Sequence, residues 1–194
     1  MKTVSMSGSR REGVGKKDAK KHRAEGRVPC VIYGGKEEIH FSLEEKAFAK
    51  LLFSAQAFFV KLTIDGTDFN CILKDVQYHP VSDSIIHADF LEYSEDKPIT
   101  LAIPVKVTGT SPGVIKGGSL DKKFRRLTIH ALPKDMPEAI VVDISKMEVN
   151  DKITIAQVPQ EKFKILERSE QFIVAVRPTR LATGTKEGEA AKEA

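Results

Sequence analysis

Apolar and polar residues alternate in short runs along most of the chain, and Gly, Pro or Ser separates one run from the next. This period of two is typical of strands that bury one face, so the sequence predicts a mainly β fold with a few short helices. In the first half we expect strands at residues 3–7, 28–33, 38–43, 58–64, 67–76 and 85–93. Asp65-Gly66, between two of these runs, is typical of a two-residue hairpin turn.

Two segments of the first half favour helix instead. Residues 16–25 have a helix-forming composition, and Gly26 suits the position just after a helix end. Ser42 and Glu45 have the spacing of a capping box, which predicts a second helix reaching to about residue 53.

A second β unit follows a polar linker at residues 94–98. It opens with the regular alternation of residues 99–108, and further strands are expected at 126–132, 139–144, 152–156 and 171–177. Loops rich in Gly, Pro and Ser separate these runs, as in an antiparallel β domain. We therefore predict a first domain at residues 1–93 and an antiparallel β domain at 94–181. Residues 182–194 lack an apolar pattern and are expected to form a disordered tail.

Positive charge is concentrated at the beginning of the chain. Up to Arg27 the sequence carries nine Lys or Arg and three Asp or Glu, a net charge of +6, whereas the whole chain has +4. Such a local cationic surface indicates a polyanionic partner, because each neutralised phosphate releases counterions. The alternative is a solvated, lysine-rich helix, but acids at helical spacing are few and the basic run extends into a glycine-containing loop. The candidate contacts here are Arg10, Arg11, Lys16, Lys20, Lys21 and Arg23.

A second polar group occurs at residues 74–90. Lys74, Gln77 and His79 precede a predicted strand on which His87 and Asp89, two residues apart, project from the same face. Together they offer donors and acceptors to base edges and 2′-hydroxyl groups, and such a β surface fits the shallow minor groove of RNA better than B-form DNA. The alternative is a His–Asp pair that only orients a loop.

The sequence contains no convincing catalytic or metal-binding motif. Residues 109–113 match the G-x-S-x-G pattern, but Pro112 has no N–H for an oxyanion, so we expect a loop there. Residues 13–17 lack the spacing of a phosphate-binding loop, and the His and Cys residues lack zinc-type spacing. We therefore expect no enzyme, no cofactor and no metal.

The two cysteines bear on the compartment. Cys30 and Cys71 each lie in an apolar run and are expected to be buried free thiols in a reducing environment. No apolar run has the length of a membrane span, and the N-terminus lacks the apolar stretch of a signal peptide. We expect a cytoplasmic protein without membrane contact.

Two stretches resemble the signatures of one family. Residues 15–35, GKKDAKKHRAEGRVPCVIYGG, resemble the first signature of bacterial large-subunit ribosomal protein twenty-five, and residues 74–92, KDVQYHPVSDSIIHADFLE, resemble its second. The second half resembles the additional domain of the longer form, the general stress protein CTC type. Lys17 and the triplet Lys20-Lys21-His22 depart from the family pattern. Because lysine lacks the planar fork of arginine, we expect weaker or more salt-sensitive contacts there.

The resemblance implies an N-terminal six-stranded β-barrel, of a type also found in anticodon-binding domains, that binds loop E of 5S ribosomal RNA. It implies readout of non-Watson–Crick pairs by His87 and Asp89, with other contacts from Arg11, Lys16, Lys20, Lys21, Arg23, Tyr33, Lys74 and Gln77. We expect the second domain to contact other large-subunit proteins or ribosomal RNA, and the protein to be a monomer within the ribosome. The alternative function is a stress-response or protein-interaction module with secondary RNA binding.

Overall fold

The computed structural model describes residues 1–35, 37–159 and 162–179, which separate into two compact units. The first comprises residues 1–101 and 132–138, and the second comprises residues 102–131 and the described residues from 139 onward. The tail predicted at residues 182–194 lies outside the described residues. Strands dominate both units, so the prediction of a mainly β protein is confirmed.

The first unit is a closed barrel of six strands. These are β1 Lys2–Arg10, β2 Arg27–Tyr33, β3 Ile39–Glu44, β4 Phe58–Ile64, β5 Thr67–Tyr78 and β6 Ile85–Glu92. Their order around the barrel is β1-β3-β2-β6-β5-β4. β1 pairs with β4 and β2 with β6 in parallel, and the other neighbours pair antiparallel. The expected six-stranded barrel is confirmed.

The barrel core follows from the alternation along the strands. Phe41 and Phe90 point inward from β3 and β6 with ring centres 5.7 Å apart, and Phe48 packs 6.2 Å from Phe90. All three rings are buried. The turn between β4 and β5 is the predicted hairpin, since Asp65 and Gly66 both adopt positive φ, at 49° and 84°.

The two predicted helices of the first unit are present, but only one begins where expected. Helix α1 spans Lys16–Ala24, and Gly26 follows it with φ of 71°. The second helical segment is a 3-10 turn, Glu45–Phe48, that continues into α2, Ala49–Leu52. The capping-box prediction is wrong, because Ser42 is buried in β3 and its hydroxyl accepts a hydrogen bond from Arg27 Nε at 3.1 Å.

The second unit holds two smaller sheets. Its strands are β7 Ile99–Thr108, which begins in the first unit, β8 Ser119–Lys122, β9 Arg126–Ala131, β10 Ile140–Asp143, β11 Lys152–Thr154, β12 Lys164–Ile165 and β13 Phe172–Arg177. One sheet has the order β10-β7-β9-β12, and the other β11-β13-β8. An antiparallel arrangement was expected. It holds for β9 with β12 and for both pairs of the three-stranded sheet, whereas β10 runs parallel to β7.

The G-x-S-x-G segment is structural. Ser111 is 1% exposed, and its hydroxyl donates to the Met147 carbonyl while accepting from the N–H groups of Gly113 and Val114. It thereby caps a one-turn helix, α3, Pro112–Ile115. The expected loop therefore holds for residues 109–111 but not for 112–115, which are helical. The Ser111 hydroxyl is used for capping and for the bond to Met147.

Candidate nucleic-acid interface

Helix α1 presents a row of exposed cations. Lys16, Lys20 and Arg23 recur at the i, i+4, i+7 spacing that places side chains on one side of a helix, with Lys17 and Lys21 beside them. All five residues are exposed. In the part of the chain that the structure describes, none of them forms an ion pair with a carboxylate. The row is therefore an uncompensated positive surface.

Arg11 differs from the other predicted basic contacts because it is buried. Its side chain is 5% exposed, and Nε and Nη2 donate to Asp18 Oδ2 at 3.1 and 2.8 Å. Nη2 also donates to the Gly13 carbonyl at 3.0 Å. The hydrogen bond from Arg11 holds the pKa of the Asp18 carboxyl below its ordinary value. Arg11 therefore shapes the turn that leads into α1, while Arg10 at the end of β1 is exposed.

A hydrogen bond from a side chain of α1 connects the helix to β6, the strand that carries His87 and Asp89. Arg23 Nε donates to the carbonyl oxygen of Ile86 at 3.0 Å, and Ile86 directly precedes His87 on β6. The helix also packs on the neighbouring strand β2. The two separated sequence segments thus come together at one surface.

The outer face of β6 carries a His–Asp pair, as predicted. His87 Nδ1 and Asp89 Oδ1 lie 2.7 Å apart, and each side chain is about one-third exposed, at 30% and 31%. Ala88 and Phe90, which alternate with them, are buried. This bond fixes the imidazole, so that its Nε2 edge is the one left for an incoming group.

Neighbouring strands extend this face. Gln77 on β5 lies opposite His87, and Asp75 lies opposite Asp89. Tyr33, at the end of β2, is half-buried. Burial raises the pKa of the Tyr33 hydroxyl, and the negative charges of Asp89 and then Asp75 raise it further. Asp75 was missed as a candidate. The sequence feature that could have identified Asp75 is its i, i+2 spacing from Gln77, which puts both residues on one face of a strand.

Lys74 and His79 lie where the β5 pairing is irregular or ends. The register of β5 against β6 shifts between Leu73 and Asp75, so Lys74 is an exposed bulge residue. His79 follows β5, and its Nδ1 accepts from the N–H groups of Val81 and Ser82, each at 3.3 Å. His79 therefore orients the turn before β6, although it remains exposed.

The surface divides into two kinds of chemistry. Helix α1 supplies cations, which suit phosphates, whereas β5 and β6 supply an amide, an imidazole and two carboxylates, which suit base edges and hydroxyl groups. Among residues 1–35, 37–159 and 162–179, no cluster of three or more His, Cys, Asp or Glu is placed to hold a metal ion. No helix within these ranges has the length and hydropathy needed to cross a membrane.

This fold and surface define a two-domain β protein with a candidate nucleic-acid-binding barrel. Residues 6–90 match the Ribosomal L25p family, and residues 98–180 match the family described as ribosomal protein TL5, C-terminal domain. The chain is 41% identical over 190 residues to the large ribosomal subunit protein bL25 of Amoebophilus asiaticus, covering 97% of each chain. It is 37% identical over 186 residues to the bL25 protein of Porphyromonas gingivalis, covering 95% of this chain and 97% of that one.

The chain belongs to the ribosomal L25p family, in its two-domain form. This membership confirms the resemblance found in the sequence. The family consists of structural ribosomal proteins, so the prediction that the chain is not an enzyme is also confirmed.

Proposed function

We propose that this protein is a non-catalytic component of the large ribosomal subunit whose barrel binds 5S ribosomal RNA at loop E. The observation that carries the proposal is the hydrogen bond from Arg23 to the Ile86 carbonyl. It sets an uncompensated cationic helix beside the His87–Asp89 pair, so that one RNA segment can meet both.

In this proposal the helix holds the RNA backbone. Lys16, Lys20 and Lys21 contact phosphates, with Arg10 at the margin of the surface and Lys74 on the bulge of β5. Lysine ammonium groups act as point charges, so these contacts give affinity that falls with salt and carry little sequence information. Arg11 acts indirectly, by holding Asp18 and the turn that sets the start of α1.

The strand face supplies the discrimination. Asp89 and Asp75 would repel phosphates, so this face favours the groove side of the RNA, where amino groups and 2′-hydroxyls can donate to carboxylates. The His87 edge, the Gln77 amide and the Tyr33 hydroxyl add further polar groups. A loop with non-Watson–Crick pairs offers an arrangement of groups that a regular duplex does not.

The test is binding of the full chain to isolated 5S RNA across a salt series. We expect affinity to fall steeply with salt, and Lys20→Gln to make the slope of log affinity against log salt shallower by about one unit. Lys50→Gln, an exposed cation on α2, is the matched control and should leave the slope unchanged. Equal slopes for the parent and both variants would contradict the assignment of α1 to the phosphates.

Co-sedimentation with large subunits separates this proposal from a stress-response or protein-interaction module. We expect the parent to co-sediment with the large subunit and the Lys16→Gln/Lys20→Gln variant to do so less, in step with its loss of 5S RNA binding. A variant that loses 5S RNA binding but co-sediments as fully as the parent would show that other contacts dominate.

A further inference from the structure

The second unit carries its own basic segment, which runs from the last residue of β8 to the first residue of β9. Four of the five residues 122–126, Lys-Lys-Phe-Arg-Arg, are cationic. We infer that this segment, together with the outer face of the sheet β10-β7-β9-β12, is a second RNA-binding surface that takes phosphates of an RNA backbone. This surface belongs to the second unit, whereas the surface proposed above belongs to the first.

The basic segment is held in place at several points. The N–H of Lys123 donates to the Ile173 carbonyl at 3.0 Å, and the carbonyl of Arg125 accepts from the N–H of Val105 at 2.9 Å. The Lys123 ammonium lies 5.1 Å from the centre of the Phe172 ring, a cation–π contact. Because the segment is already ordered, little conformational entropy is lost when it binds a ligand.

The positive surface continues from this segment onto the sheet. Arg126 is exposed while the next residue, Leu127, is buried, so Arg126 projects outward from the start of β9. Lys164 on β12 lies opposite His130, which is four residues from Arg126 and therefore on the same face of β9. Lys106 projects outward from β7 beside buried Val105. The exposed cations of this surface are Lys106, Lys123, Arg125, Arg126 and Lys164.

Two acids on or beside this sheet each have a carboxylate oxygen that accepts hydrogen bonds from protein groups. Asp143 Oδ1 accepts from the Ser145 N–H at 2.9 Å and from its hydroxyl at 2.6 Å, and Glu167 Oε1 accepts from the Thr128 N–H at 2.7 Å. Within the described ranges, no carboxylate forms an ion pair with any of the five exposed cations. Neutralising phosphates relieves their mutual repulsion and releases counterions.

RNA is the polyanion that this surface fits. The guanidinium groups of Arg125 and Arg126 can each make bidentate contacts to phosphate oxygens. The chain belongs to a family of ribosomal proteins, whose surroundings are rich in RNA backbone. A protein partner with an acidic surface is the competing occupant, and the experiment below distinguishes the two.

The experiment uses the full chain carrying Lys16→Gln/Lys20→Gln, so that the barrel surface contributes less. A fluorescently labelled regular RNA duplex is the probe. Adding Arg125→Gln/Arg126→Gln should make the salt slope shallower by about two further units. Lys116→Gln/Lys152→Gln, the same charge change just after α3 and at the start of β11 in the same unit, should leave it unchanged. Adding Arg125→Lys/Arg126→Lys should retain most of the slope, because both charges remain.

Four outcomes would overturn the inference. The first is an equal slope for the Gln pair and its control, with circular dichroism and melting temperature showing that both are folded. The second is a loss with the Lys pair as large as with the Gln pair, because the contact would then not depend on charge. The third is unchanged duplex binding by the Gln pair combined with weaker co-sedimentation with large subunits, which would assign this surface to a protein.

The fourth outcome comes from NMR titration of the ¹⁵N-labelled full chain. Adding the duplex should shift the backbone amides of residues 123–126, and the absence of any shift there would equally overturn the inference.

Discussion

Arg23 and Ile86 are 63 positions apart in the sequence and are joined by a hydrogen bond of 3.0 Å from the guanidinium Nε to the carbonyl oxygen. This contact connects the cationic helix α1 to the strand of the His87–Asp89 pair. Because Ile86 directly precedes His87, any movement of the helix changes the spacing between the phosphate-binding row and the polar strand face. The relative position of these two elements is what the proposed interface depends on.

Arg23→Lys should weaken 5S RNA binding while leaving its salt dependence unchanged. The lysine keeps the charge but has no Nε–H to reach the Ile86 carbonyl, so one hydrogen bond worth about 1 kcal/mol is lost, or roughly fivefold in affinity. Lys21→Arg, which leaves the bond intact and supplies a planar fork, serves as the control and should bind at least as tightly as the parent. Hydrogen exchange of the α1 amides should accelerate only in Arg23→Lys. Unaltered exchange and affinity would show that the bond does not position the helix.

The sequence predicts the fold well where the pattern is local. The alternation that defines β1 to β6 and the Asp65-Gly66 turn can both be recognised in the sequence alone, because each depends on neighbouring residues. Strands β8 and β12, of four and two residues, are too short to show a period and were not predicted.

The sequence predicts which residues form the candidate interface, but not how their side chains are arranged in it. The charged row and the His87–Asp89 pair follow from composition and a period of two. The burial of Arg11 against Asp18 does not, since it depends on a turn between them whose path no periodic pattern describes. The bulge at Lys74 likewise arises from pairing between β5 and β6, which only the assembled barrel determines.

Asp89→Asn should lower the pKa of the Tyr33 hydroxyl. Burial is the main reason that this pKa lies above its ordinary value, and the Asp89 charge is the next contribution. Removing that charge makes the tyrosinate easier to form, while the burial contribution keeps the pKa above its ordinary value. Ultraviolet titration of Tyr33 in a background with the other tyrosines replaced by Phe measures the shift. Asp83→Asn is the control, because Asp83 does not contribute to the raised pKa of Tyr33. Equal shifts in both variants would contradict the placement of Asp89 beside Tyr33.

The stability that the Asp18 carboxylate gives the first unit should be lost in acid. The pKa of its carboxyl is lowered in the folded protein, chiefly by the hydrogen bond from Arg11. Its contribution to the free energy of unfolding is therefore complete above the unfolded value near 3.8 and is lost as the pH falls through the lower folded value. In Asp18→Asn this part of the acid dependence should disappear. Glu12→Gln should retain it, and identical pH profiles for parent and Asp18→Asn would refute the role of the pair.

Cys30 and Cys71 should resist thiol reagents in the folded protein. Both are fully buried free thiols, and burial raises the pKa of Cys71 to about 12 and also raises that of Cys30. At pH 8 little thiolate forms, so labelling with a disulfide reagent should proceed at the rate of unfolding. An introduced surface thiol, Ser5→Cys, should react at once and calibrates the reagent. Rapid labelling of either native cysteine would indicate that the barrel opens.

The sharpest test of RNA selection by the β5–β6 face is the ratio of affinities for 5S RNA and for a regular RNA duplex of equal length at one salt concentration. His87→Ala and Asp89→Asn should each lower this ratio roughly tenfold, equivalent to about 1.4 kcal/mol, because the groove-reading pair is broken. Lys20→Gln should weaken binding to both RNAs equally and leave the ratio unchanged. If both strand variants keep the ratio of the parent, the β5–β6 face does not select the RNA.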